Sequence, residues 1–318
     1  MKISILDAGT LGDDLKDTIL KIFGELGEVD ARYTTSPDEV KYAVSDSDVV
    51  IVNKIKLNHT NLCDAKNLKL ICVAATGYDN IETNWCKEHN IAVCNVKGYS
   101  TDSVAQLTVS MALMLINRMK EYTDYVRCGN YSRSGVANRL VPVYHEIRGM
   151  TWGIVGVGNI GGQVARVAEA LGCRVIVNKR TYDERYACTD IDTLCRESDI
   201  ISVHTPLTDE TKNLINKERI ALMKKDAIFI NVARGAVADE AALCKAMEEG
   251  RLGGLGIDVY TSEPLPENHP YMRLANNDRV CLTPHNAWGA YEARVRCLNI
   301  MKENINSFFN GEKLNRIV

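Results

Sequence analysis

The chain has 318 residues, 46% of them hydrophobic, enough to fill the cores of two domains of ordinary size. Its 38 basic and 41 acidic residues are intermixed and leave a net charge of −3, which argues against nucleic acid or an anionic membrane as a partner. The 11 cysteines form neither a CxxC pair nor a Cys/His cluster at metal-ligand spacing, so the composition predicts small buried thiols in a reducing cytoplasm and no metal site.

The first residues, MKISILDAG, read as a strand rather than a charged start followed by an apolar signal core. No apolar run approaches the roughly 20 residues of a membrane span. Short β-rich runs then alternate with helical periods: KISIL, the helix-like DDLKDTILKIFGELG, EVDARYT, DVVIVN, LKLICVAA and IAVCNV. Such alternation predicts βαβ units joined by right-handed crossovers, a doubly wound layer around a parallel sheet.

From Thr101 to about Arg127 the segment TDSVAQLTVSMALMLINRMKEYTDYVR predicts one long apolar helix with Ser100 or Thr101 as N-cap. It is too apolar to lie alone on a surface. Two placements stay open, a connection between domains that also meets a second subunit, or a helix buried within one domain.

A second βα series starts at MTWGIVGVGNIG and continues through RVIVN, IISVHTP, AIFINVA and LGIDVY to RVCLTPH. In open parallel sheets ligands bind beyond the carboxyl ends of strands, so the residues at those ends are the candidates for function. Within GVGNIG, Gly156 would allow the tight turn, Gly158 the close approach of a pyrophosphate, and Gly161 the packing of helix on strand. Asn159 and Ile160 complete the turn. With a strand before, a helix after and a second strand at the right distance, the motif predicts a dinucleotide site.

At the end of that second strand an NAD site usually carries an acidic residue for the ribose. Here the chain has Asn178, Lys179 and Arg180, followed by Thr181. Lys179 and Arg180 would neutralise a 2′-phosphate, with Asn178 and Thr181 as polar partners, which predicts that NADPH is used at least as well as NADH. The alternative is that both basic side chains point to solvent. The last segment, WGAYEARVRCLNIMKENINSFFNGEKLNRIV, reads as a long helix and a tail that return to the first domain.

Three later segments, NVARGAVADEAAL (231–243), LGIDVYTSEPL (255–265) and LTPHNAWGA (282–290), carry a resemblance when taken with GVGNIG and NVKGYSTDSVAQLT (95–108). Over essentially the whole chain the sequence resembles the D-isomer-specific 2-hydroxyacid dehydrogenase family. VNK (52–54), ATGYDNIE (75–82) and TPHNAW are most similar to its glycerate dehydrogenase or hydroxypyruvate reductase branch.

The resemblance implies an α/β protein of two doubly wound Rossmann-like domains with parallel sheets. A discontinuous, flavodoxin-like substrate domain (1–98 and 289–318) would clasp an NAD(P)-binding Rossmann domain (99–288), with catalysis in the cleft and a homodimer built through the coenzyme domains. The substrate would be a small 2-oxo acid, reduced to the D-2-hydroxy acid.

That reaction needs an acid for the developing alkoxide and a cation for the substrate carboxylate. His285 is the natural acid, because imidazole titrates near working pH, and Glu263 would hold its other ring nitrogen. Both match the family's catalytic positions. Arg234 matches the substrate arginine, whose planar fork can hold a carboxylate bidentately. Ala75, Thr76, Gly77 and Tyr78 would offer backbone N–H groups to the same carboxylate, and Lys54 would reach the end bearing a 3-hydroxyl.

Asp258 corresponds to the family residue that bonds the nicotinamide carboxamide; a strand-end cap is its plainer reading. His204, Thr205 and Pro206 would line the coenzyme, as would Val232 and Ala233, and His204 reads as structural rather than catalytic. Phosphoglycerate dehydrogenase is an alternative, disfavoured by a chain that stops soon after the closing helix. A coenzyme-sensing scaffold related to the family's corepressors is another, although no basic or disordered extension accompanies the core.

Overall fold

In the computed structural model, residues 1–180 and 184–318 are described. The chain divides into two compact units, one formed by Met1–Ser100 with Gly289–Val318 and the other by Thr101–Trp288.

The first unit is built on strands β1 (Lys2–Ile5), β2 (Glu28–Ala31), β3 (Val49–Val52), β4 (Leu70–Val73) and β5 (Ala92–Cys94). They pair in parallel in the order β2-β1-β3-β4-β5. β3 and β4 are buried along their whole length, which is why they read as unbroken VVIV and LICV rather than as alternating patterns. The helix Tyr291–Phe309 packs beside β4 and buries Ala293, Cys297, Leu298, Met301 and Ile305. Its tail closes the sheet edge, with Ile317 donating its N–H to the Val93 carbonyl at 2.8 Å.

The second unit carries seven parallel strands: β6 (Thr151–Val155), β7 (Arg174–Asn178), β8 (Ala187–Cys188), β9 (Ile200–Val203), β10 (Ile228–Asn231), β11 (Gly254–Ile257) and β12 (Val280–Leu282). Their order is β12-β11-β10-β9-β6-β7-β8. The order reverses at β6, which pairs with β7 on one side and β9 on the other, so a topological switch point lies between the ends of β6 and β9. Trp152 and Phe229 are completely buried, each removing about 1.5–3 kcal/mol worth of apolar surface from water. The Trp152 indole N–H is satisfied by Ser202 Oγ at 3.0 Å.

Two elements depart from the sequence reading. The helix expected from Thr101 to Arg127 is broken: it runs Thr101–Ile116, then restarts as Met119–Arg127 after Arg118, which has a left-handed φ of 54°. The first part buries Val104, Ala105, Met111, Ala112, Leu115 and Ile116 in the core of its unit, whereas the second buries nothing there. After Ile116 the sequence has no continuous apolar face left to keep the helix on the core, and an Arg118–Glu121 ion pair at 2.6 Å holds the corner. The two-residue β8, an edge strand bonded to Ile176 and Val177, is too short to give a periodic signal. Among the described residues no helix is long and apolar enough to cross a membrane.

Candidate functional site

The parallel strands of the second unit bring most of the candidate residues to one edge of one sheet. Gly156 follows β6, Asn178 ends β7, His204 follows β9, Arg234 lies just past β10, Asp258 follows β11 and His285 lies just past β12.

At the switch point Gly156 turns with φ 90°, and a Cβ there would stand 3.0 Å from the backbone of His204 and Thr205. The close packing of the two strand ends therefore requires glycine. A Cβ at Gly161 would come within 2.1 Å of the Gly156 carbonyl oxygen, so the helix Asn159–Ala170 can sit on the turn only because Gly161 has none. At Gly158, the N-cap, a Cβ would meet nothing within 4 Å. A backbone open on that side, leading into the first-turn amides at Asn159 and Ile160, fits a pyrophosphate.

Asn178 is not idle at the end of β7, since its amide donates to the Thr189 carbonyl at 3.0 Å and ties in the edge strand β8. Arg180 Nη1 faces Glu210 Oε2 at 3.7 Å, and both side chains are largely exposed. Lys179 is partly buried beside them. Thr181 lies outside the described residues.

The His285 and Glu263 side chains meet: Nδ1 lies 2.7 Å from Oε2. A carboxylate at Nδ1 places the proton there, so Nε2 is the nitrogen whose protonation can change. The other Glu263 oxygen accepts the Tyr260 N–H at 3.0 Å. His285 has φ 53°, a left-handed conformation that few non-glycine residues adopt.

Asp258 holds the loop around it. Its carboxylate, 1% exposed, accepts the Thr283 hydroxyl at 2.6 Å, the Asn286 N–H at 2.9 Å and the Ala287 N–H at 3.0 Å. Burial pushes its carboxyl above the ordinary value, opposed by these donors. Ser103 Oγ holds the Ala287 carbonyl at 2.5 Å and the Trp288 indole holds the His285 carbonyl at 2.9 Å. The loop bearing the imidazole is thus pinned from three sides.

Arg234 ends a turn clamped by the buried Asn231, whose side chain accepts the Ala233 N–H and donates to the Arg234 carbonyl. Val232 and Ala233 form the body of that turn, and the guanidinium reaches back to the Ala233 carbonyl at 2.8 Å. His204 Nε2 lies 3.0 Å from Ser202 Oγ, while its Nδ1 is buried with no hydrogen-bond partner among the described residues. Burial lowers its pKa to about 3. Thr205 and Pro206 lead into a loop closed by Thr211 Oγ1 on the Pro206 carbonyl at 2.6 Å.

In the first unit Asp7 organises the loop of Lys54. Its buried carboxylate accepts the N–H groups of Asn53 at 2.9 Å, Lys54 at 2.6 Å and Ile55 at 3.2 Å. Burial pushes this carboxyl up, against those three amides. The Lys54 residue is exposed. In the turn after β4, Thr76 Oγ1 donates to the Val96 carbonyl at 2.8 Å, and the Thr76 carbonyl accepts from Asn95 at 2.7 Å. The N–H groups of Thr76, Gly77 and Tyr78 take no backbone acceptor among the described residues, whereas the Ala75 carbonyl accepts from Val96.

Sequence reading missed Asp7, Asn231 and a buried Glu240–His269 pair near Glu263, because each acts on backbone or on another side chain rather than through a motif. The available signals were polar residues directly after apolar strands, in LDAG and IFIN, and a second acidic residue at the helix start ADEAAL.

Residues 109–287 match the family model described as "D-isomer specific 2-hydroxyacid dehydrogenase, NAD binding domain". The chain is 34% identical over 284 residues to a glycerate dehydrogenase of Methylorubrum extorquens, covering 89% of each chain. Among solved structures it is similar to an acyclic imino acid reductase in complex with NADPH and D-Arg, with a TM-score of 0.89, 30% identity and all of both chains covered. It is also similar to a D-lactate dehydrogenase from Aquifex aeolicus complexed with NAD and lactic acid, with a TM-score of 0.87, 28% identity and coverage of 100% and 99%.

Proposed function

Since the chain belongs to the D-isomer specific 2-hydroxyacid dehydrogenase family, an NAD(P)-dependent oxidoreductase family, we propose that it reduces a small 2-oxo acid of the hydroxypyruvate or glyoxylate type, with His285 as acid. The observation that carries this reading is the His285–Glu263 pair at 2.7 Å, set at the strand edge that also bears Arg234 and the Gly156–Gly161 turn.

Gly156, Gly158, Asn159, Ile160 and Gly161 would hold the coenzyme pyrophosphate, and His204, Thr205, Pro206, Val232, Ala233 and Asp258 would line the rest of it. When bound, the coenzyme supplies hydride from its nicotinamide ring. Arg234 would take the substrate carboxylate with its planar fork and polarise the neighbouring carbonyl. The N–H groups at Ala75, Thr76, Gly77 and Tyr78, and the Lys54 ammonium, are the first unit's candidates for the substrate carboxylate and a 3-hydroxyl. As charge develops on the carbonyl oxygen, His285 gives it a proton from Nε2, while Glu263 keeps the other ring proton on Nδ1 and stabilises the imidazolium. In oxidation the same imidazole takes the proton back.

For the coenzyme, Lys179 and Arg180 support NADPH. The exposed 3.7 Å contact with Glu210 is too weak to hold Arg180 away from a 2′-phosphate. For assembly, the exposed apolar side chains between Met119 and Tyr144 support a homodimer built through the second unit.

Initial rates with hydroxypyruvate, glyoxylate and pyruvate, each with NADH and with NADPH, test the reading directly. We expect turnover with the first two, and an NADPH efficiency at least equal to that with NADH. Lys179→Asp should lower the NADPH efficiency by about tenfold or more, the effect of one lost charge-assisted contact and one added repulsion. No turnover with any 2-oxo acid would overturn the assignment, and a strong NADH preference unchanged by the substitution would remove the 2′-phosphate role.

A further inference from the structure

The loop Tyr260–Glu263 carries one half of the proposed acid/base pair, and the groups that fix it sit on other elements. Glu240, the first residue of the helix Glu240–Glu248, is 9% exposed. Its Oε1 accepts the Thr261 N–H at 2.9 Å, and its Oε2 accepts the Thr261 hydroxyl and His269 Nε2, the latter at 3.0 Å. His269, equally buried, accepts the Tyr271 N–H on Nδ1 at 3.2 Å. A nitrogen that accepts from an amide carries no proton, so in its neutral form this ring has its proton on Nε2 and donates to Glu240.

Nothing in the helix itself calls for this carboxylate, because Asp239 already caps it by accepting the Ala242 N–H at 2.9 Å. Nor does core packing: a buried carboxylate is costly unless donors surround it, and an apolar side chain of similar size would fill the space.

What the donors belong to explains it. A Cβ at Gly235, next to Arg234, would come within 2.1 Å of the Tyr260 carbonyl carbon and 2.3 Å of the Thr261 nitrogen, so this peptide rests directly on the arginine's turn. The Tyr260 N–H goes to Glu263 Oε1 at 3.0 Å. The Tyr260 hydroxyl goes to the Thr283 carbonyl at 2.9 Å, two residues before His285, and its ring meets His269 edge-on with centroids 6.2 Å apart. Tyr260 and Thr261 together therefore touch the Arg234 turn, the Glu263 carboxylate and the strand end leading to His285, and Glu240 holds Thr261 by two bonds.

From this juxtaposition we infer that Glu240, with His269 and Thr261, is a positioning residue that sets Glu263 against His285. The inference rests on reading that pair as the acid/base. Loss of the Glu240 bonds lets the loop shift, and Glu263 then releases the His285 Nδ1 proton to the tautomer that solvent would allow.

Glu240→Gln tests it, since the amide keeps the shape but turns a donor toward a site filled with donors. The tautomer of His285 is read from its 15N ring shifts in labelled protein, with the signal identified by its loss in His285→Asn. We expect the Nδ1–H form in the wild type and a raised Nε2–H share in both Glu263→Ala and Glu240→Gln. In turnover, Glu240→Gln should lower kcat by about tenfold or more with little change in KM for the coenzyme. Added to Glu263→Ala it should cost less than about a further twofold. A wild-type tautomer and kcat with only a lowered Tm, or a fully additive loss, would overturn the positioning role. If Glu240→Gln does not fold, Thr261→Val removes one bond and should move the tautomer and kcat in the same direction; no movement overturns the role. The tautomer measurement needs no substrate, so absence of turnover would count against the functional reading alone.

Discussion

His285 and His204 both stand beyond strand ends of one sheet, and their neighbours assign them different work. His285 has a carboxylate 2.7 Å from Nδ1 and a backbone pinned in a left-handed conformation. Its replacement by Ala should lower kcat by about 10²- to 10⁴-fold, the usual range for a positioned general acid, with coenzyme affinity nearly unchanged. Near-normal turnover would refute the role.

His204 has no carboxylate partner among the described residues, and burial brings its pKa from 6.5 to about 3. It stays neutral through the working range and cannot serve as the acid. The sign of its effect on stability follows from linkage. The unfolded chain takes up the proton at the higher pH, so stability is complete above about pH 6.5 and falls as pH drops from 6.5 toward 3, by about 1.4 kcal/mol per pH unit. Urea denaturation at pH 7 and pH 5 should show the wild type losing about 2 kcal/mol more than His204→Asn between the two. Equal losses would mean that the imidazole is solvated in the folded state. The sequence showed both histidines at strand ends. The family resemblance pointed to Glu263 as the partner of His285, which spacing alone could not do across 22 residues, and no signal in the sequence marked His204 as desolvated.

Loops past the strand ends depend on single carboxylates that organise several amides at once. Asp258 holds the Thr283–Ala287 loop through three donors, and Asp7 holds residues 53–55 in the same manner. Asp258→Asn would turn an amide N–H against at least one of these donors. It should cost about 1–3 kcal/mol in stability, the penalty of an unmade buried bond, and lower kcat together with it as the His285 loop loosens. A variant with wild-type Tm and only weakened coenzyme binding would show instead that the carboxylate serves the nicotinamide. Most strands were legible because buried parallel strands are nearly continuous apolar runs, as in VVIV and LICV. The break at Arg118 was not, since no glycine or proline marks it and only the loss of an apolar face for the core ends the first helix. Glycine spacing made the turn at Gly156 legible, whereas the Glu240–His269 pair, 29 residues apart, depends on how the chain returns to the sheet edge.

At the scale of the molecule, the segment from Met119 to Tyr144 is distinctive. Leu140 is 72% exposed, Val143 67% and Val141 63%, with Met119, Val126 and Val136 each more than half exposed nearby. Scattered apolar residues on a surface need no explanation, but so many exposed within one short stretch of chain make that stretch a candidate interface. No residue of the helix Met119–Arg127 is fully buried within its own unit, and Met119 and Val126 on it are more than half exposed. A stable dimer interface needs about 1,200–2,000 Å² in total, and in an isologous contact this stretch would meet its own symmetry mate. Sedimentation should therefore give twice the 35.3 kDa of one chain. Leu140→Asp with Val143→Asp, at positions exposed enough to leave the fold of each unit intact, should shift the mass to that of one chain at micromolar concentration, because each interface would bury four carboxylates without partners. A wild-type protein that sediments at the mass of one chain would remove the dimer. A double variant that still sediments at twice that mass would move the interface away from this segment.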